Sequence, residues 1–146
     1  MREKMILVVE DNPDHLELTV LTLEEQGATA KIAVARDGAE ALDFLFGQGI
    51  HAGRDTRLQP AFILLDMKLP KLSGLDVLRS VRAHPLTALV PVVMLTSSSE
   101  QSDILACYQS GANSFVRKSV DFGAFTEKIS RLQAYWLDVN ESIAAE

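Results

Sequence analysis

Four short apolar runs punctuate the chain: Met5–Val9, Ala61–Leu65, Pro91–Leu95 and, more weakly, Ser114–Val116. A fifth, Ala30–Ala35, carries Ile32 and Val34 among small residues. The first three are continuous rather than alternating, which is the pattern of strands covered on both faces, as in a parallel sheet. Between the runs the apolar spacing turns helical. Leu16, Val20 and Leu23 form a stripe behind Asn12-Pro13, where Pro suits a first turn, and Gly27 marks the stop. Ala41, Leu42, Leu45 and Phe46 follow Asp37-Gly38 and end at Gly47. Leu75, Leu78 and Val81 predict a third helix ending before Pro85, and Ile104, Leu105 and Tyr108 a fourth ending at Gly111. Phe122, Phe125, Ile129, Leu132 and Trp136 make the last stripe. Strand and helix therefore alternate five times, which predicts an open α/β sheet with right-handed crossovers.

Length fits one such unit. At roughly 150 residues per domain, 146 residues make a single domain over residues 1–146. Its core is expected over about 5–137 and a short tail over 138–146, with no output domain. The one long connection, Gly47–Pro60, holds three of the eight glycines and is expected to be a loop. A net charge of −6 with no basic half argues against direct nucleic-acid binding. No apolar run approaches the roughly 18 residues of a membrane span, and the start lacks a signal-peptide core. The single cysteine, Cys107, has no internal disulfide partner, which suits a reducing, cytoplasmic setting, and its expected role is packing.

The polar residues matter through where they fall. Glu10 and Asp11 directly follow the first strand, Asp66 closes the third, Thr96 the fourth and Lys118 the fifth. The carboxyl ends of parallel strands line one rim, where ligands bind near the switch in strand order. Three carboxylates so placed repel one another unless a cation intervenes, and Mg²⁺, with its preference for oxygen ligands, meets that need. A metal, a lysine and a hydroxyl donor suit phosphoryl transfer, in which positioning and charge neutralisation supply most of the catalysis. Asp66 is then the nucleophile, forming an aspartyl-phosphate.

Taken singly, each residue has a plainer reading. Glu10-Asp11 suits a helix N-terminus, and Asp66 suits a turn with Pro70 and Ser73-Gly74. Ser97 or Ser98 is expected to cap the fourth helix, and Lys118 alone would be a solvated lysine. His15 reads as solvated, His51 as loop and His84 as a helix-end residue. Joint placement at the strand ends favours the functional reading.

These residues resemble the receiver domains of two-component response regulators. The likeness is carried by Leu7-Val8-Val9-Glu10-Asp11-Asn12, Asp37-Gly38-Ala39-Glu40-Ala41-Leu42, Leu64-Leu65-Asp66-Met67-Lys68-Leu69-Pro70, Gly74, Pro91-Val92-Val93-Met94-Leu95-Thr96, Gly111-Ala112 and Lys118. Spacing agrees, with Gly74 eight residues after Asp66 and Lys118 22 after Thr96. The resemblance implies a flavodoxin-like, doubly wound, five-stranded parallel sheet of order 2-1-3-4-5 with helices on both faces. It implies that Asp66 accepts a phosphoryl group from a phosphohistidine of a histidine kinase or phosphotransfer protein. Glu10, Asp11, Asp66 and the backbone carbonyl of Lys68 would hold Mg²⁺. Thr96 and Lys118 would bind the phosphoryl oxygens, and Phe115 would turn inward on activation. Such a protein is a phosphoacceptor rather than an enzyme turning over an external substrate.

Ser119 after Lys118, the Ala134-Tyr135-Trp136-Leu137 close and the Gly47–Pro60 loop narrow the resemblance. They look like the stand-alone regulators paired with bacterial and cyanobacterial phytochrome kinases, which commonly dimerise through the fourth helix, fifth strand and fifth helix. Ser119 stands where most receivers have proline, leaving the Lys118–Ser119 bond open to cis or trans. Lys68 also departs from the shorter polar residue frequent there, and its ammonium is expected to pair with Glu10 or the phosphoryl group, or to restrict the attacking water. Three rivals were weighed. An aspartate-nucleophile phosphatase usually has a second Asp at position 68, and a nucleotide or flavin binder wants glycines after the first strand. The remaining alternative is a phosphorylation-independent interaction module on a receiver scaffold.

Overall fold

In the computed structural model, which describes residues 4–25 and 30–143, strand and helix alternate as the pattern predicts. The order is β1 (Met5–Val9), α1 (Pro13–Glu25), β2 (Lys31–Ala35), α2 (Gly38–Phe46), β3 (Phe62–Asp66), α3 (Gly74–Ala83), β4 (Val92–Thr96), α4 (Gln101–Gln109), β5 (Ser114–Arg117) and α5 (Phe122–Ala134). The five strands are all parallel, in the order β2-β1-β3-β4-β5. The predicted stop at Gly27 lies outside the described residues. Among the described residues, no helix is long and apolar enough to cross a membrane.

The continuous runs have a direct cause. Side chains alternate across a strand, so an all-apolar strand feeds two cores. Leu7, Val9, Ile63, Leu65, Val92 and Met94 pack with Ala41, Leu45, Val77, Leu78 and Val81 of α2 and α3. Ile6, Val8, Phe62, Leu64, Val93 and Leu95 pack on the other face with Leu16, Leu23, Phe125, Ile129 and Trp136. Each fully buried leucine or isoleucine contributes about 1.5–3 kcal/mol.

Helix ends follow local chemistry. Asn12 Oδ1 accepts from the amides of Asp14 at 2.9 Å and His15 at 3.1 Å, opening α1 behind Pro13. Asp37 caps α2, and Ser73 with Asp76 forms a capping box on α3. At Gly74 a Cβ would run into the carbonyl oxygen of Asp66 and sit 2.7 Å from Met67 Cα. Glycine there lets α3 start directly beside the end of β3.

Several expectations shift. β3 and β4 each run one residue further, so Asp66 and Thr96 are strand residues, buried although polar. The α4 stripe is not a core face: Leu105 and Tyr108 are exposed, and Cys107 is the residue buried there. The cause is position, because α4 lies beside the four-residue edge strand β5, which offers little apolar surface. Phe122 is exposed in the first turn of α5, while Gln133 joins the buried face. Its Nε2 donates to Leu23 O at 3.2 Å, satisfying a carbonyl in the last turn of α1. The N-cap of α4 is Glu100; Ser98 stands two residues outside it, and its hydroxyl accepts from the Glu100 amide at 3.2 Å. A wider π-helical turn, Tyr135–Val139, carries the last helix past 137.

The long loop is built around Arg54. Its guanidinium lies 4.1 Å over the Phe44 ring and donates to the carbonyls of Phe44, Leu45 and Leu58, closing the end of α2. His51, in a 3₁₀ turn at Gly49–His51, packs edge-on to Phe44 and meets Glu40 at 3.4 Å. His84 closes α3 and stacks on Phe46.

Candidate functional site

Each residue expected at the rim reaches it on a strand end. Glu10 follows β1 and is buried, its amide held by Ala35 O at 3.1 Å. Asp66 ends β3 with a buried carboxylate, and its Oδ1 accepts from the Lys68 amide at 3.1 Å. Asp11 is exposed beside them. One oxygen from each of Glu10, Asp11 and Asp66 lies within 4.8 Å of the others.

Lys118 enters from β5, anchored where its amide donates to Thr96 O at 2.7 Å. Its ammonium meets Glu10 Oε1 at 2.6 Å and Asp66 Oδ2 at 3.4 Å. One cation thus faces two buried anions. Burial and the neighbouring Glu10 push the Asp66 carboxyl up to about 6, against the pull of Lys118 and the Lys68 amide. The site is short of positive charge. Hard oxygen donors with an unmet need for cation suit a divalent ion, so this donor set fits one.

Thr96 is buried, and its hydroxyl oxygen accepts from the Ser98 amide at 3.1 Å. That leaves its hydrogen free to donate. Ser98 Oγ in turn donates to Asp103 Oδ2 of α4 at 2.6 Å, linking the rim to that helix. Phe115, opposite Met94 across β4 and β5, is half-buried. The Lys68 side chain is exposed, and the cation on Glu10 is Lys118 rather than Lys68. The Lys118–Ser119 peptide is trans. His15 is exposed, as its reading as a solvated residue had it, and also brings Nδ1 to 3.3 Å from Lys118 Nζ. The sequence signal was its place in the first turn of the helix that starts at the same rim.

The family model for the response regulator receiver domain matches residues 6–130. The chain belongs to that family. Among its relatives, the probable methanogenesis regulatory protein FilR2 of Methanothrix harundinacea is 36% identical over 94% of this chain and 86% of its own length. Response regulator Rcp1 of Synechocystis sp. is 31% identical over 92% of this chain and 90% of its own. A crystal structure of a Mn²⁺-bound form of response regulator Rcp1 superposes with a TM-score of 0.89, at 30% identity over 97% of this chain and 99% of that one. The bacteriophytochrome response regulator AtBRR is 42% identical over 100% of both chains, with a TM-score of 0.77. The receiver fold and the likeness to phytochrome-linked regulators therefore agree with the flavodoxin-like reading.

Proposed function

We propose that Asp66 of this receiver accepts a phosphoryl group from a phosphohistidine of a histidine kinase or phosphotransfer protein, in a Mg²⁺-dependent reaction. The observation that carries the reading is the buried Asp66 carboxylate, clustered with Glu10 and Asp11 and faced by Lys118. An Asp66 oxygen forms the new P–O bond as the P–N bond breaks, and the departing imidazole takes up a proton. Glu10, Asp11, Asp66 and the Lys68 carbonyl would hold Mg²⁺, which when bound offsets charge on the carboxylates and the phosphoryl group. Lys118 and the free hydrogen of the Thr96 hydroxyl bind phosphoryl oxygens.

The signal leaves through the same atoms. Drawing Thr96 toward the phosphoryl group pulls on Ser98, and through it on Asp103 of α4. Phe115 moves into the space released, altering the α4-β5-α5 surface. A homodimer through that surface and pairing with a phytochrome kinase are part of the proposal, and its setting is cytoplasmic. A phosphorelay role, returning the group to another histidine, uses the same site.

Incubation with a small phosphodonor and Mg²⁺, followed by intact-mass analysis of wild type and Asp66→Asn, tests it. We expect the wild type alone to gain one phosphoryl group. No gain, either here or with a cognate phosphorylated kinase, in folded protein that binds Mg²⁺, would leave the interaction-module reading in its place.

A further inference from the structure

An ammonium carries three N–H donors and no acceptor. Around Lys118 three acceptors are in reach: Glu10 Oε1 at 2.6 Å, His15 Nδ1 at 3.3 Å and Asp66 Oδ2 at 3.4 Å. Two are anions of the acidic cluster. The third belongs to no part of the chemistry above. Lys118 can only donate, so a hydrogen bond between the two uses Nδ1 as the acceptor. His15 makes this contact with its side chain half exposed. Its amide is held by the Asn12 side chain at 3.1 Å, and its ring stands 6.5 Å from that of Phe125, tilted by 35°.

We infer that His15 is a positioning residue for Lys118. It takes one ammonium hydrogen from the outer side and so directs the other two inward, toward Glu10 and Asp66. Glu10 and Asp66 are the groups whose charge a divalent ion or a phosphoryl group would redirect; His15 is the acceptor that does not change. Without it, the same ammonium turns one donor to solvent and loses its fixed aim. The kinetic part of this inference rests on the proposed role of Lys118, whereas the geometric part does not.

The test compares His15→Leu, which keeps bulk and removes the acceptor, with His15→Asn, whose amide oxygen replaces Nδ1. Asp66 phosphorylation by a small donor with Mg²⁺ is followed by intact mass. We expect His15→Leu to slow it roughly threefold to tenfold, the range of one hydrogen bond, and His15→Asn to recover most of the rate. In a Lys118→Met background, His15→Leu should add nothing. A readout without phosphodonor is the Lys118 side-chain ¹⁵Nζ signal at low temperature, which is sharp only when its hydrogens are held. It should broaden in His15→Leu and persist in His15→Asn. Equal rates and equal spectra in wild type and His15→Leu overturn the inference, as does slowing that His15→Asn fails to relieve. If wild type gains no phosphoryl group yet the spectra differ as expected, the proposed function fails and the placement of Lys118 by His15 stands.

Discussion

At the amino edge of the sheet, Arg82 directs its guanidinium at neutral oxygens: the carbonyls of Gly111 at 2.8 Å, Ala88 at 3.1 Å and Val90 at 2.7 Å, and Asn113 Oδ1 at 2.7 Å. Asn113 Oδ1 also accepts from the Val92 amide at 2.8 Å, so α3 and the loops entering β4 and β5 are fastened by one charge. At the carboxyl edge the same strands end in Glu10, Asp11 and Asp66, with Lys118 as the ammonium between two of them. One edge gathers four acceptors around the five N–H donors of a single guanidinium, and all four are neutral. The other holds three carboxylates together around a single ammonium. Stability and function are thus kept at opposite ends of the same strands, and burial at one is compensated while burial at the other is left open.

The largest effect expected is at the amino edge. Arg82→Met leaves the carbonyls of Gly111, Ala88 and Val90 without their side-chain donor and should cost about 3 kcal/mol in urea unfolding, while native-state phosphorylation changes little. A cost below about 1 kcal/mol would mean that water replaces the guanidinium freely, and the contrast would collapse. Next in size, Mg²⁺ at a hundredfold excess over its Kd should raise unfolding free energy by about 2.7 kcal/mol. Asp11→Asn should erase most of that gain, read by thermal unfolding with and without the ion.

The pH dependence of chelated, metal-free protein sharpens the carboxyl edge. The Asp66 carboxyl moves from 3.8 to about 6 on folding, so between those values the folded state binds more protons than the unfolded one. Stability therefore rises as pH is lowered through 6 toward 4, by about 1–2 kcal/mol once solvent screening at the rim is allowed for. Asp66→Asn should remove that part of the slope and be at least as stable as wild type at pH 7. A slope that survives the substitution assigns the titration elsewhere. Smallest of all, Leu105→Lys on α4 should stay within about 0.5 kcal/mol of wild type in the same unfolding assay. A larger loss would show that α4 packs through the face its sequence suggested.

Where apolar surface decides the outcome, the fold could be read in advance. The runs at Met5–Val9 and Val92–Leu95 are buried on both faces and could only be strands of a covered sheet. Asp66 and Thr96 stand where the sequence set them, as the closing residues of their strands, and pairing with β4 and β5 holds them there although they are polar. Helix α4 misled because its residues keep a helical rhythm although the helix lies beside a short edge strand and buries Cys107 rather than Leu105 and Tyr108. The acidic cluster and Lys118 were legible because parallel strands bring their ends together whatever the loops do. Arg82 and Arg54 were not, since their partners are mainly backbone carbonyls that carry no signature in the sequence. The contact of His15 with Lys118 was hidden for a related reason: it joins two residues 103 apart in the chain, which local spacing does not encode.

The lone tryptophan makes this chain its own optical probe. Trp136 is buried, stacks near Phe62 at 6.4 Å between ring centres, and lines the groove of β5 and α5 with Phe115 and Tyr135. Phe62 begins the strand that Asp66 ends, four residues and about 13 Å away. Chemistry on Asp66 is therefore too distant to quench the indole by contact. Any change in its emission on phosphorylation reports rearrangement carried through the packed interior, and emission against time measures how fast that message crosses the domain.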